Sequence, residues 1–173
     1  MNPSLPVRLA DTTDTQSRFR ELYLVEYPKL AGFAFSLLRD TDRAHDAAQE
    51  AFVRLFARLL TVREPRPFLF RVVTNLAHDV WRREALDASR HESLIGQFVA
   101  GGVDDRDLAA SEDLRRAVGR LPDRLRVVLL LHYYADLSVR EVATAVGRPE
   151  GTVKRQLAEA RSRLAADLGD NNA

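Results

Sequence analysis

The sequence has no cysteine, which excludes disulfides, thiolate zinc sites and thiol redox sensing. Lysine is nearly absent as well: among 26 Lys and Arg residues only Lys29 and Lys154 are lysines, an arginine and alanine bias that fits a GC-rich genome. No apolar run approaches the ~20 residues of a membrane helix, so no membrane insertion is expected. The opening MNPSLPVRLADTTDTQ lacks the apolar core and small-residue cleavage site of a secretory signal, and the cytoplasm is the expected location. Residues 1–15 are expected to be a disordered lead-in. His45, His78, His91 and His132 are scattered, with no metal-ligand spacing between any two, and nucleophile-elbow, phosphate-loop and paired-carboxylate signatures are missing. The sequence therefore predicts no enzyme, no cofactor and no metal.

What is present is helical. At 46% hydrophobic and 29% charged, the chain can bury a core and stay soluble. Over residues 16–38 the apolar positions Phe19, Leu22, Tyr23, Leu30, Phe33, Ala34, Leu37 and Leu38 predict a helix that Pro28 kinks or splits. Residues 42–60 carry one stripe of Ala44, Ala47, Ala48, Ala51, Phe52, Leu55, Phe56 and Leu59, with Thr41 or Asp42 able to cap it. A loop, TVREPRP, follows. Pro67 suits the first turn of the next helix, which runs to about Arg83 on Leu69, Val72, Val73, Leu76 and Val80. No strand alternation persists.

From about Glu84 the periodicity fails, leaving a linker over residues 85–110 with one short helical turn near Leu94 to Phe98. Helical signal resumes over 111–168, before a tail at 169–173. The expectation is an all-α chain of two small helical domains, 16–84 and 111–168, joined by a flexible linker.

The second domain ends in a capped helix, a turn and another helix. Ser138 and Glu141 have the spacing of a capping box, Gly147 stands where a helix ends in a left-handed residue, and Pro149 fits the opening turn of the last helix. That helix buries Val153, Leu157, Ala160 and Leu164. Its other face carries Thr152, Lys154, Arg155, Arg161 and Arg163. This is the pattern of a helix-turn-helix whose second helix enters a DNA groove.

The net charge is only +1, but its distribution is uneven. Residues 63–84 hold five arginines against three acids, residues 148–164 five basic residues against two acids, and residues 85–113 two arginines against seven acids. Affinity for phosphates would come from two basic patches flanking an acidic segment.

Two separated segments resemble one family, the sigma-70 initiation factors of the short, extracytoplasmic-function (ECF) type. The family pattern D-x-x-Q-E-x-F stands here as Asp46, Gln49, Glu50 and Phe52. Its W-L-Y-R-I-A-x-N-L-x-x-D-x-x-R-R pattern is matched by FLFRVVTNLAHDVWRR at 68–83. The region 4 pattern is matched by LPDRLRVVLLLHYYADLSVREVATAVG and then GTVKRQLAEAR.

The resemblance implies that Asp46, Gln49 and Glu50 bind the clamp helices of the largest subunit of core RNA polymerase. Part of Arg126 to Tyr134 would pack on the flap of the second-largest subunit. It also implies that the loop Arg63 to Arg66 and the helix face of Arg71, Asn75, Asp79, Arg82 and Arg83 meet the −10 element of promoter DNA. There arginines would neutralise phosphate, and Phe68 and Phe70 are candidates for stacking on unpaired bases, with core packing as the other reading. Trp81 is read as packing. The loop before the third helix is shorter than in many relatives, so its location is carried over and a base identity is not.

In region 4, Gly151, Thr152, Lys154, Arg155 and Arg161 are the expected −35 contacts. Arg155, Gln156 and Glu159 depart from the family and mark where promoter preference is expected to reside; Arg155 can bond guanine in bidentate fashion. An anti-sigma factor is an expected partner. Two other readings stand beside the initiation factor: a sigma-like mimic that sequesters an anti-sigma factor, and a dimeric helix-turn-helix regulator. The basic residues argue against the first, and residues 42–83 are unexplained by the second.

Overall fold

The computed structural model describes residues 9–88 and 108–170. Among them are helices α1 (Leu9–Leu38), α2 (Thr41–Phe56), α3 (Pro65–Ala88), α4 (Leu108–Arg120), α5 (Asp123–Leu129), α6 (Val139–Val146) and α7 (Glu150–Asp170), and no strand. The last turn of α5 continues into a π-helical turn, Leu130–Tyr134. The short helix expected near Leu94 to Phe98, and the acidic segment around it, lie outside the described residues.

The first three helices pack mutually. Leu30, Phe33, Ala34 and Leu37 of α1 meet Ala48, Ala51, Phe52 and Leu55 of α2 and Leu69, Phe70, Val73 and Ala77 of α3, all buried. Alanine at four positions of the α2 stripe lets the helix backbones approach closely. Phe33 and Phe70 meet edge to face at 5.1 Å, a favoured aromatic arrangement. Pro28 neither splits α1 nor ends it. It lies on the exposed side of the helix, where the carbonyl it leaves unpaired can reach water. α1 also extends back to Leu9, into the segment expected to be a lead-in.

The helix ends are set by local geometry. Arg39 ends α1 in the left-handed region at φ 56°. Asp40, rather than Thr41 or Asp42, then caps α2 by accepting the Arg43 N–H at 2.9 Å. Pro65 opens α3, and Pro67 falls in the same first turn, as expected, with the Glu64 carbonyl accepting the Phe68 N–H. Pro149 stands just ahead of α7, and its carbonyl accepts the N–H groups of Thr152 and Val153. Phe56, placed in the buried stripe by periodicity, is 58% exposed; its ring touches only the edge of the core, against Phe19 at 5.2 Å.

Helices α4, α5 and α6 each pack on α7, with Leu121, Leu125, Leu129 and Ala160 forming a small core of their own. The larger core is not confined to one half. It runs from α1, α2 and α3 through Val127, Val128, Leu131, Val142, Ala145, Val153 and Leu157. The expected two domains are present as two bundles, yet they share apolar packing, chiefly where α6 lies on α3.

Candidate nucleic-acid and protein interfaces

The helix-turn-helix is built by local hydrogen bonds. Ser138 Oγ accepts the Glu141 N–H, and the Glu141 carboxylate accepts the Ser138 N–H at 2.7 Å. Both halves of the capping box are therefore formed. The bond from the Ser138 side chain, then the one from its backbone, hold the Glu141 carboxyl below its ordinary value. Gly147 closes α6 in the left-handed region at φ 64°, and the Arg148 N–H reaches back to the Ala143 carbonyl. Upstream, Asp136 is left-handed at φ 53°, and a His132 ring nitrogen lies 2.7 Å from the Leu137 carbonyl. Together these fix the turns on either side of α6.

On α7, Val153, Leu157 and Ala160 are buried, as the period predicts. Gly151, Lys154, Arg155 and Arg161 are exposed and Thr152 is half-buried. Gln156 is also buried, with its Oε1 unpaired, so it faces the core and cannot read a base edge. Glu159 holds Arg163 at 3.0 Å and Arg124 at 3.3 Å. It lowers the positive potential of that face by occupying two guanidinium groups.

In the first bundle, Arg63, Asn75, Arg82 and Arg83 are exposed, while Arg66, Arg71 and Asp79 are half-buried. Arg71 lies over the Phe68 ring at 5.4 Å. Arg82 bonds Asp79 at 2.9 Å. Arg66 Nε bonds Glu26 at 3.2 Å, and the Glu26 side chain is 9% exposed. Arg66 thus ties the start of α3 to α1. Phe68 and Phe70 are both buried, which makes them core residues and removes them as stacking platforms. Trp81 packs against the Arg126 guanidinium, 5.8 Å from its ring centroid.

Asp46 and Gln49 are exposed and Glu50 is half-buried, on one face of α2; Glu50 is paired with Arg54 at 2.7 Å. The same face continues into Val53 at 63% and Phe56 at 58% exposed, and the turn that follows α2 adds Leu60 at 91%. A polar cluster bordered by exposed apolar groups is the composition of a protein-binding patch. Val53 stands four residues after Gln49 and three after Glu50. That spacing puts it on the polar face, a signal available in the sequence.

Ion pairing differs among the basic residues. Arg43, Arg54, Arg66, Arg82, Arg115, Arg116, Arg120, Arg124, Arg126 and Arg163 each have a carboxylate partner. Arg63, Arg71 and Arg83 in the first bundle, and Lys154, Arg155 and Arg161 on α7, form no ion pair among the described residues. Positive charge without a neutralising partner is what a phosphate backbone recruits.

Comparison with known proteins gives the same two segments. The sigma-70 region 2 profile matches residues 22–86, and the sigma-70 region 4 profile matches residues 111–164. The chain belongs to the sigma-70 family, in its extracytoplasmic-function group. It is 29% identical over 170 residues to the ECF RNA polymerase sigma factor SigW of Bacillus subtilis, covering 90% of this chain and 91% of that one. It is 27% identical over 150 residues to the ECF sigma factor SigM of the same organism, covering 84% and 92%. Among solved structures it shares the fold of the sigma factor RpoE of Bartonella quintana, crystallised with the anti-sigma factor NepR. The TM-score is 0.74 at 23% identity, over 88% of this chain and 97% of that one. CnrH, solved with the cytosolic domain of CnrY, gives a TM-score of 0.63 at 23% identity over 91% of each chain. Among the described residues no helix is long and apolar enough to cross a membrane.

Proposed function

We propose that this sigma factor binds core RNA polymerase through the α2 face and directs it to promoters through α3 and α7. The observation that carries the reading is the joint occurrence of three surfaces on one chain. These are a polar and apolar protein-binding face on α2, unneutralised arginines along α3, and a helix-turn-helix with free cations on its second helix. A duplex-binding regulator needs only the last of these. A mimic that captures an anti-sigma factor needs neither set of free arginines.

On this reading Asp46, Gln49 and Glu50 bind the largest subunit, with Val53, Phe56 and Leu60 supplying the apolar part of the contact. Arg63, Arg71, Asn75, Arg82 and Arg83 meet the −10 element, with Asp79 orienting Arg82. Arg66 acts chiefly by holding the loop to Glu26. Gly151, Thr152, Lys154, Arg155 and Arg161 meet the −35 element. Gln156 drops out of the promoter-preference set because it is buried. Part of the α5 helix and its π-turn packs on the flap of the second-largest subunit. The domains are residues 16–84 and 111–168, with the segment between them as the tether. The chain works in the cytoplasm and is not an enzyme; bond formation belongs to the polymerase. An anti-sigma factor is a further partner, in keeping with the solved RpoE complex with the anti-sigma factor NepR.

Two titrations test the surfaces separately. Asp46, Gln49 and Glu50 changed together to alanine should weaken binding to core polymerase at least tenfold while leaving −35 duplex affinity intact. Lys154→Ala with Arg155→Ala should do the reverse and flatten the salt dependence of DNA binding by about two phosphate contacts. Unchanged affinities for the respective partners would remove these assignments.

A further inference from the structure

Two arginines are left over by the promoter surfaces: Arg58, in the turn after α2, and Arg140, in the first turn of α6. Both are exposed, and neither forms an ion pair among the described residues. They share one cleft. It has a volume of about 740 Å³ and is lined by Arg58, Arg63 and Arg71 from the first bundle and by Arg140 from α6. Arg63 and Arg71 have no ion pair among the described residues either.

Two carboxylates also line the cleft, Glu64 and Glu141. Glu141 is committed to the capping box, where it accepts the Ser138 N–H at 2.7 Å. Four guanidinium groups against two carboxylates leave the lining with a net positive charge. The hydroxyls of Thr61 and Thr144 are spent on the backbone carbonyls of Arg58 and Arg140. Arginine is therefore the group that recognises whatever enters. Part of the wall is apolar: Arg71 lies over the buried Phe68 ring at 5.4 Å, and Ala145 is buried on the α6 side. Charges of one sign gathered in a concavity with low-dielectric walls focus the field and concentrate a counter-ion.

The planar fork of a guanidinium pairs in bidentate fashion with phosphate oxygens. A single phosphate ion can engage only some of four forks and fills little of the space. Sites for small molecules run to about 300–1,000 Å³, and this cleft falls within that range. Arginines on facing walls enclose a ligand, unlike the open outer face of α7, which suits a duplex. A chain of linked phosphates, with its charge spread along it, meets both walls at once.

We propose that the cleft of Arg58, Arg63, Arg71 and Arg140 is a binding site for a compact polyphosphate, either the phosphate chain of a nucleotide or a free inorganic chain. Arg58 and Arg140 belong to this site alone. Arg63 and Arg71 are shared with the −10 surface, so a bound polyphosphate withholds them from promoter DNA. That consequence rests on the promoter-reading function proposed above; the site itself does not.

Calorimetric titration of the full chain with inorganic tripolyphosphate, in low salt and without magnesium, tests it. One site per chain is expected, with an affinity at least tenfold above that for orthophosphate. Arg58→Ala with Arg140→Ala should weaken tripolyphosphate binding at least tenfold. Arg115→Ala with Arg116→Ala, which removes the same charge from α4, should leave it within about twofold. Arg140→Glu is a second variant and should weaken binding more than Arg140→Ala. Amide chemical shifts of the wild-type chain should move within residues 58–71 and 138–145. Equal losses in the cleft and α4 variants, equal affinities for tripolyphosphate and orthophosphate, or shifts confined to α7 would each overturn the proposal. GTP or ATP binding more tightly than tripolyphosphate makes a nucleotide the ligand; tripolyphosphate binding as tightly or more makes it an inorganic chain. If tripolyphosphate binds as described while the chain supports no transcription with core polymerase, the site stands and the promoter-reading function fails.

Discussion

Three buried or half-buried polar side chains govern how this chain tolerates substitution. Glu26 is nearly excluded from water, and Arg66 is the partner that the structure gives it. Arg66→Ala leaves a buried carboxylate unpaired, a change that typically costs about 3 kcal/mol. Thermal unfolding should register that loss, whereas Arg63→Ala, an exposed residue next to the same loop, should change stability by less than about 0.5 kcal/mol. Both can weaken DNA binding, so stability is what distinguishes a positioning arginine from a DNA-contacting one. Arg126 is the second case. Burial lowers its affinity for a proton, and Asp123 opposes that shift; a guanidinium still stays charged. The sequence pattern placed Arg126 at the start of an apolar stretch, but periodicity could not show that its plane covers Trp81 from a distant part of the chain. Gln156 is the third. It departs from the family pattern beside Arg155, and only the helix phase in three dimensions separates the residue facing DNA from the one facing the core.

At the scale of the element, the helix-turn-helix was legible almost atom for atom, because its signals are local. A capping box, a left-handed glycine and a four-three-four apolar spacing each act within a few residues. Ser138→Ala should destabilise the region 4 bundle by about 1 kcal/mol, and Gly147→Ala by about 1–2 kcal/mol from the left-handed backbone alone, since open space surrounds its Cβ. The Glu141 carboxyl is held below its ordinary value of 4.5. The capping contribution is therefore fully present above that pH and is lost as pH falls toward the folded value. Chemical denaturation of Ser138→Ala and wild type at neutral pH and near pH 3 checks both points: the difference should shrink in acid. Helix ends were less legible. Asp40 outcompeted Thr41 and Asp42 because Arg39 turned left-handed. Pro28 stayed within α1 because its missing hydrogen bond falls on the wet side. Phe56 is the last residue of α2 and packs on Phe19 with most of its surface open to water.

At the scale of the molecule, two bundles were expected from the break in periodicity, and two are present. Their contact was not legible, since nothing local in α3 or α6 specifies it. His78 is on the surface of α3, within electrostatic reach of Arg148 and Asp123 of the second bundle. Partial burial holds its imidazole below the ordinary value of 6.5. Arg148 of the second bundle pushes the same way, and Asp123 and Asp79 push back. Because the packed state binds the proton less well than the separated one, its stability holds above pH 6.5 and falls as pH drops through that value toward the packed-state pKa. Thermal stability should therefore fall between pH 7.5 and pH 5.5, and His78→Gln should remove much of that dependence.

The central claim is that one chain joins a polymerase-binding face to two promoter-reading surfaces. Run-off transcription with core polymerase, on a template carrying both promoter elements, tests it most directly. The account predicts a transcript that depends on this chain and starts at one position. That transcript should be lost with the Asp46, Gln49 and Glu50 triple variant, and separately with Lys154→Ala and Arg155→Ala. Folded protein that gives no promoter-dependent transcript on a verified promoter would contradict it.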